Sequence, residues 1–309
     1  MEPKMNFKTQ SENFLNAIQT RRREPATEST VVSYRSALNA HILPTLGSMN
    51  LAKIENGTLK ALVVELSNKG LKAATITKII AVVKLVIASA VDQNGNQLFP
   101  RVWNNDFMDL PIINQKDQTA PVAPVKAIQE AISQANPQDR ALYALLAGTG
   151  LRIGEALALT SADWDRDNMT LSVTKTVSQG AVREGTKTEA GNRQVDLHPD
   201  LNKFLIAVLP ADGLLFQSEK SSVLRTKTLY RHLGETKIPG FHSLRRFRIT
   251  QLRKTQVPEG LVQFWAGHAG ETITDRYDKI SQDLPARKLW AQKAGLGFRL
   301  EASCTYPNR

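Results

Sequence analysis

Apolar residues recur with a helical period through the first hundred positions of this chain. Between about Ser11 and Arg22 they set Phe14, Leu15 and Ile18 on one face, and from Ser29 or Thr30 onward a second face carries Tyr34, Leu38 and Ile42. Serine and threonine are favourable first-turn caps, while Pro44 and Gly47 are expected to end this second helix. After Asn56 a third face holds Leu59, Leu62, Val63 and Leu66, with Gly70 placed as a left-handed cap. A fourth helix, from about Ala74 to Val91, is apolar nearly all round (Ile76, Ile79, Ile80, Val83, Val86, Ile87) and should be the buried member of a small bundle.

Periodicity then lapses. Residues 99–123 contain three prolines and many turn-formers, which predicts a linker and divides the chain into a helical domain over 1–98 and a second domain over 124–309. In the second domain helices are expected at Val125 to Gln134 and Gln138 to Leu146, followed by a short one after Thr149 and Gly150. The period next changes to two. Leu171, Val173 and Lys175 alternate with polar residues, Val182 and Arg183 form a second short strand, and Arg193 to Leu197 a third. Helices return at Pro199 to Val208, Leu224 to Leu233, Leu244 to Arg253, Pro258 to Trp265 and around Ala286 to Ala294. The expected fold is mainly α with one small antiparallel β-sheet, in two domains.

Charge changes this picture of a generic helical protein. The net charge is +11, and residues 219–254 hold ten basic residues against Glu219 and Glu235, a concentration that suits a polyanionic partner. In the helical domain Lys69, Lys72, Lys78 and Lys84 are the basic residues available to a phosphate backbone, too few to separate a DNA-gripping domain from a protein-interaction domain. No apolar run approaches the ~20 residues of a membrane span, and the first ten residues lack the apolar stretch of a signal peptide. With a single cysteine, Cys304, no internal disulfide framework is possible, and a cytoplasmic location is expected.

Several motifs fail on spacing. In GTGLRIG the third glycine of a dinucleotide fingerprint is Ile153, and no Gly-Lys-Ser/Thr of a nucleotide P-loop exists. Asp163, Asp165 and Asp167 imitate the start of a calcium loop, but Asn168 and Thr174 occupy its glycine and glutamate positions, so a polar turn is expected. The five histidines lack cysteine partners and close pairing, which argues against structural zinc.

One constellation survives. His242 and Arg245, three residues apart on a helix, share a face, with Arg246, Arg253 and Lys254 around the helix from it. Arg152 adds a second guanidinium whose planar donor fork matches two phosphate oxygens. Lys187 falls on a turn between strands, His268 just past a helix end, Tyr277 in a short polar stretch, and Glu155 where it can orient Arg152 or His242.

These boxes, TGLRIGEALAL, TKTEAGNRQV, HSLRR, AGH and TITDRY, occur in the order and at the intervals of the tyrosine recombinases, the phage-integrase type of site-specific DNA recombinase, which the chain resembles over nearly its whole length. The resemblance implies that the first domain is a core DNA-binding domain and that the second cleaves and rejoins DNA through a 3′-phosphotyrosyl intermediate, with neither ATP, metal nor other cofactor. It implies Tyr277 as nucleophile, His242 as its proton acceptor, Arg152, Arg245 and His268 around the phosphate, Lys187 as general acid, and Glu155 in support. Lys84, Arg225, Lys227, Arg246 and Arg253 are expected at the DNA backbone. The partner is double-stranded DNA, with a dimer to tetramer assembling on it and a C-terminal tail containing Leu289, Trp290 and Leu296 docking on a neighbour. The chain starts close to its first helix, which suggests a recombination reaction without a further arm-binding domain. Strand relaxation of the type IB topoisomerase kind, and a non-cleaving regulator on the same fold, are the alternatives.

Overall fold

The computed structural model describes residues 5–114, 120–185, 191–218, 222–268 and 280–300. Its contacts divide the chain into two compact units, Met1–Gln118 and Thr119–Arg309.

In the first unit α1 (Phe7–Thr20) starts at Asn6, whose side chain accepts the Thr9 amide at 2.8 Å. Helix α2 (Glu28–Ala37) is capped by Thr27. The path does not stop at Pro44 as expected. It continues through a π-turn, Leu38–Ile42, into the short α3 (Leu43–Leu46), with the Leu43 amide bonded to the Leu38 carbonyl five residues back. Proline lacks an N–H and crowds the carbonyl four residues before it; widening the preceding turn accommodates both faults. Helix α4 (Asn56–Asn68) opens with a reciprocal Glu55–Thr58 capping box, and Gly70 beyond its end is left-handed (φ +74°) as expected. Helix α5 (Ala73–Ala88) buries Ile76, Ile79, Ile80, Val82, Val83, Val86 and Ile87 at the centre of the unit.

The expected linker differs in its first half. Phe99 and Met108 lie in the core of the first unit, Trp103 and Leu110 pack against it, and Arg101 donates to the carbonyls of Leu51, Ala52 and Ile54. Proline and turn residues signalled irregular backbone correctly, yet irregular backbone can still bury its apolar side chains.

In the second unit α6 (Val125–Gln134) and α7 (Pro137–Thr149) precede the short α8 (Ile153–Ala158). Helix α7 is buried from Ala141 through Thr149 and forms the spine of the core. Among the described residues the strands make two sheets where one was expected. Strands β1 (Trp164–Asp165), β2 (Thr170–Val173) and β5 (Arg193–Asp196) form an antiparallel sheet in the order β1-β2-β5, and β3 (Lys175–Ser178) with β4 (Ala181–Glu184) form a separate hairpin. Leu171, Val173 and Val195 bind the first sheet into the core, whereas β4 offers only the exposed Val182. Gln179 and Gly180, both at positive φ, make the tight hairpin turn.

Helices α9 (Pro199–Val208), α10 (Thr226–Gly234), α11 (Phe241–Lys254), α12 (Glu259–Ala266) and α13 (Leu284–Ala294) complete this unit. The tail packs on its own unit as far as residue 300. Ala291, Ala294, Leu296 and Phe298 join the core, and Arg248 and Gln251 of α11 donate to the Gly295 and Ala294 carbonyls at the end of α13. Leu289 is exposed.

Candidate active site

The site begins where α7 ends. Gly150 takes the left-handed conformation (φ +76°) that closes the helix, so the chain reverses and delivers Arg152 as the first residue of the turn into α8. Glu155 bonds back to Arg152 twice: its Oε2 accepts the Arg152 amide at 2.9 Å and its Oε1 accepts Nη1 at 2.7 Å. The carboxylate is buried, while the Arg152 side chain remains 46% exposed. A donor fork anchored at one edge and open on the other suits an anion arriving from solvent.

A third partner of Glu155 escaped the sequence reading. Arg193, on β5 and 1% exposed, donates Nη2 to Glu155 Oε2 at 2.9 Å. It also donates Nε to the Trp265 carbonyl and Nη1 to the Gly191 carbonyl, both at 2.9 Å. Burial pushes the Glu155 carboxyl up, but hydrogen bonds and charge from Arg193, then Arg152, outweigh it and hold the group below the usual carboxylate range. The available signal was the strand period, since Arg193 lies two positions before the inward-facing Val195 and shares its face.

Arg245 reaches the site from α11, buried to 2% exposure. Its Nη1 donates to the Gly150 carbonyl at 2.8 Å, and its Nη2 contacts the Ala266 carbonyl and, at 3.0 Å, His268 Nε2. Gly267, left-handed at φ +64°, ends α12 and turns His268 toward Arg245; a Cβ there would fall 2.7 Å from Arg193 Nη1. The His268 ring is thus held by the arginine. Because a guanidinium only donates, His268 Nε2 accepts, and the neutral ring carries its proton on Nδ1.

His242, one turn before Arg245, is exposed. Burial first, then Arg246, Arg245 and Arg152, hold its ring below the ordinary histidine range. Burial and then Arg245, Arg152, Arg193 and Arg253 do the same for His268. Burial and Arg152 bring Arg245 down to about 10. Arg152, Arg193, His242, Arg245 and His268 therefore share one electrostatic neighbourhood: guanidinium groups around neutral imidazoles, able to hold an anion and to accept or share a proton. Glu155 orients Arg152 and Arg193, rather than His242.

Lys187 and Tyr277 lie outside the described residues. Of the expected DNA contacts, Arg225 and Lys227 stand exposed at the start of α10. The others have partners within the chain: Lys84 donates to Asn105 at 2.8 Å and lies over Trp103, Arg246 donates to the Pro121 carbonyl, and Arg253 pairs with Glu259 at 2.7 Å. The aspartates dismissed as a calcium loop form local turns, with Asp163 bonded to Thr160 and Lys175 and Asp165 to Asn168. Among the described residues no group of three or more His, Cys, Asp or Glu is placed to hold a metal ion, and no helix is long and apolar enough to cross a membrane.

A helical unit is thus followed by a mixed α/β unit in which arginines and histidines from separate elements converge. The phage integrase family profile matches residues 123–283, and the profile of the phage integrase N-terminal SAM-like domain matches residues 7–67. The chain belongs to the phage integrase family.

It is similar to the tyrosine recombinase XerS of Streptococcus equi subsp. zooepidemicus, with 29% identity over 164 residues, 47% of this chain and 43% of that protein. The match thus spans less than half the length of these curated relatives. Among solved structures, the integrase of transposon Tn1549 in complex with transposon right end DNA aligns at 18% identity and a TM-score of 0.65, covering 90% of this chain and 99% of that one. A lambda integrase dimer bound to a COC′ core site aligns at 17% identity and 0.64, covering 88% and 95%. A lambda integrase tetramer bound to a Holliday junction aligns at 17% and 0.64, covering 90% and 81%. These likenesses bear out the fold class expected from sequence.

Proposed function

We propose that the chain is a site-specific DNA recombinase that cuts and rejoins double-stranded DNA through a 3′-phosphotyrosyl intermediate. The observation that carries this reading is the meeting of Arg152, Arg245 and His268, held by Glu155, by the Gly150 and Ala266 carbonyls and by each other, in a chain of the phage integrase family.

In the reaction, the Tyr277 oxygen forms a bond to the scissile phosphorus as the 5′-oxygen leaves. A tyrosine of ordinary pKa near ~10 is protonated at neutral pH, and the neutral His242 ring supplies the acceptor for that proton. Arg152, Arg245 and the Nδ1–H of His268 hold the non-bridging oxygens as charge accumulates; removal of one such preorganised donor raises the barrier by roughly 3 to 4 kcal/mol. Lys187 protonates the leaving 5′-oxygen, a role worth about 10² to 10⁴ in rate. One ester is exchanged for another, so the bond energy is kept for rejoining by a 5′-hydroxyl. The roles of Lys187 and Tyr277 rest on their positions in the sequence motifs.

The helical unit would grip the duplex with the second unit, and two to four copies would assemble on paired sites. Sequencing DNA that remains covalently attached to the protein after expression in cells tests the reading. Reads ending at one recurrent core sequence are expected. Adducts scattered without sequence preference would favour topoisomerase-like relaxation, and absence of adducts would favour a non-cleaving DNA-binding regulator.

A further inference from the structure

The carboxylate of Asp196 lies at the far end of β5 from Arg193, is 4% exposed, and has no part in the reaction described above. Its Oδ2 accepts the indole N–H of Trp265 at 2.7 Å and the Nε–H of Arg287 at 2.9 Å, and its Oδ1 accepts Arg287 Nη2 at 2.9 Å. Arg287 is itself 5% exposed and lies over the Phe264 ring at 5.2 Å; its remaining bonds go to Gln194 Oε1 and the Ser281 carbonyl. A bidentate buried pair of this kind fixes orientation as well as distance.

One carboxylate therefore fastens α12, through Trp265, and α13, through Arg287, to β5. The same residues continue into the anion site. Trp265 gives its carbonyl to Arg193, Arg193 holds Glu155, and Glu155 holds Arg152. The next residue, Ala266, gives its carbonyl to Arg245, and His268 follows two positions later. In sequence, Tyr277 lies between the two anchors Trp265 and Arg287. A buried ion pair is a costly way to seat a helix that already buries Ala291 and Ala294, and this pair lies in line with the chain of bonds to both arginines.

We infer that Asp196, with Arg287, is a positioning residue for the strand-cutting reaction: it makes the seating of α13 a condition for the catalytic arrangement of Arg152, Arg245 and His268. This rests on the function proposed above. Asp196 is buried and acts through Trp265 and Arg193.

The test uses the full chain and two variants. Asp196→Asn leaves Arg287 buried without its counter-charge and is expected to lower thermal stability as well as activity. Asp196→Asn combined with Arg287→Met removes both charges at similar volume and is the informative variant. Its duplex-DNA affinity is expected within about twofold of the parent's, while the rate of covalent adduct formation at saturating nicked duplex falls at least about tenfold, a loss confined to the saturated rate. An adduct rate within about twofold of the parent's would overturn the inference.

If the parent forms no adduct at all, the functional reading fails, and amide hydrogen exchange at Gly267 and His268 decides the positioning role separately. Their amides bond to the Phe264 and Gln263 carbonyls in the parent. Exchange about tenfold faster in the double variant, with α7 unchanged, supports the tie; unchanged exchange at both residues overturns it.

Discussion

Glu155→Gln keeps the shape of the most heavily shared side chain in the site and removes its charge. In the parent four N–H contacts converge on this carboxylate, from the Arg152 amide, Arg152 Nη1, and Arg193 Nη1 and Nη2, at 2.7 to 3.4 Å. An amide has one acceptor where the carboxylate has two, and its NH₂ must face donors, whichever way it is turned. Arg193, 1% exposed, then keeps a buried charge without a counter-ion.

Breaking a buried pair from one side costs about 3 to 5 kcal/mol, and the retained volume places this variant near the lower end, about 3 kcal/mol. For a unit of this size that corresponds to a fall of roughly 6 to 12 °C in the melting transition of the second unit. Calorimetry at pH 7 measures it.

The pH dependence provides the internal control. The folded Glu155 carboxyl titrates below its unfolded value, so its contribution is complete above about pH 4.3 and is lost as pH falls through the lower folded value. The gap between parent and variant should narrow over that acid window and remain constant above it. A fall of less than about 2 °C at pH 7, or a gap that widens on acidification, would refute the assignment of Glu155 as the anionic hub.

Other consequences are independent of this one. Gly154→Ala places a Cβ 2.8 Å from both Thr176 Oγ1 and the Val177 carbonyl, and should displace the β3–β4 hairpin from α8, lowering stability by about 1 to 3 kcal/mol in denaturant titrations. His242 and His268 both titrate below the ordinary histidine range, so each ring should stay neutral as pH falls to about 6.5, and the cleavage rate should decline only below that; NMR titration of the two rings checks this. Lys187→Ala should lose about 10² to 10⁴ in cleavage rate on normal DNA and recover on a 5′-bridging phosphorothiolate, whose sulfur leaves without protonation. Lack of recovery would remove the general-acid role.

The sequence made some of this legible for definite reasons. Helices α6 and α9 end where their apolar period ends, at Gln134 and Val208, because prolines and polar turns flank them. His242 and Arg245 were visible as a pair because one helical turn joins them. The turn at Pro44 misled because a π-turn can absorb a proline that an α-helix interior cannot. Lys175 alternates in register with Leu171 and Val173, so period alone could not show that the chain leaves one sheet for another between them. The strand period could show Arg193 only as inward-facing, and it could not show Arg193, Asp196 and Arg287 as site residues, because their partners lie tens of positions away and burial of a charge depends on finding those partners.

The claim on which the account depends is that Tyr277 becomes covalently joined to DNA. Mass spectrometry of the peptide trapped on nicked core-site DNA tests it most directly. The account predicts a nucleotide mass on Tyr277, joined through a 3′-phosphate, with a free 5′-hydroxyl on the other strand end and no adduct from Tyr277→Phe, which still binds the duplex. An adduct on another residue, or one formed equally by Tyr277→Phe, would contradict it.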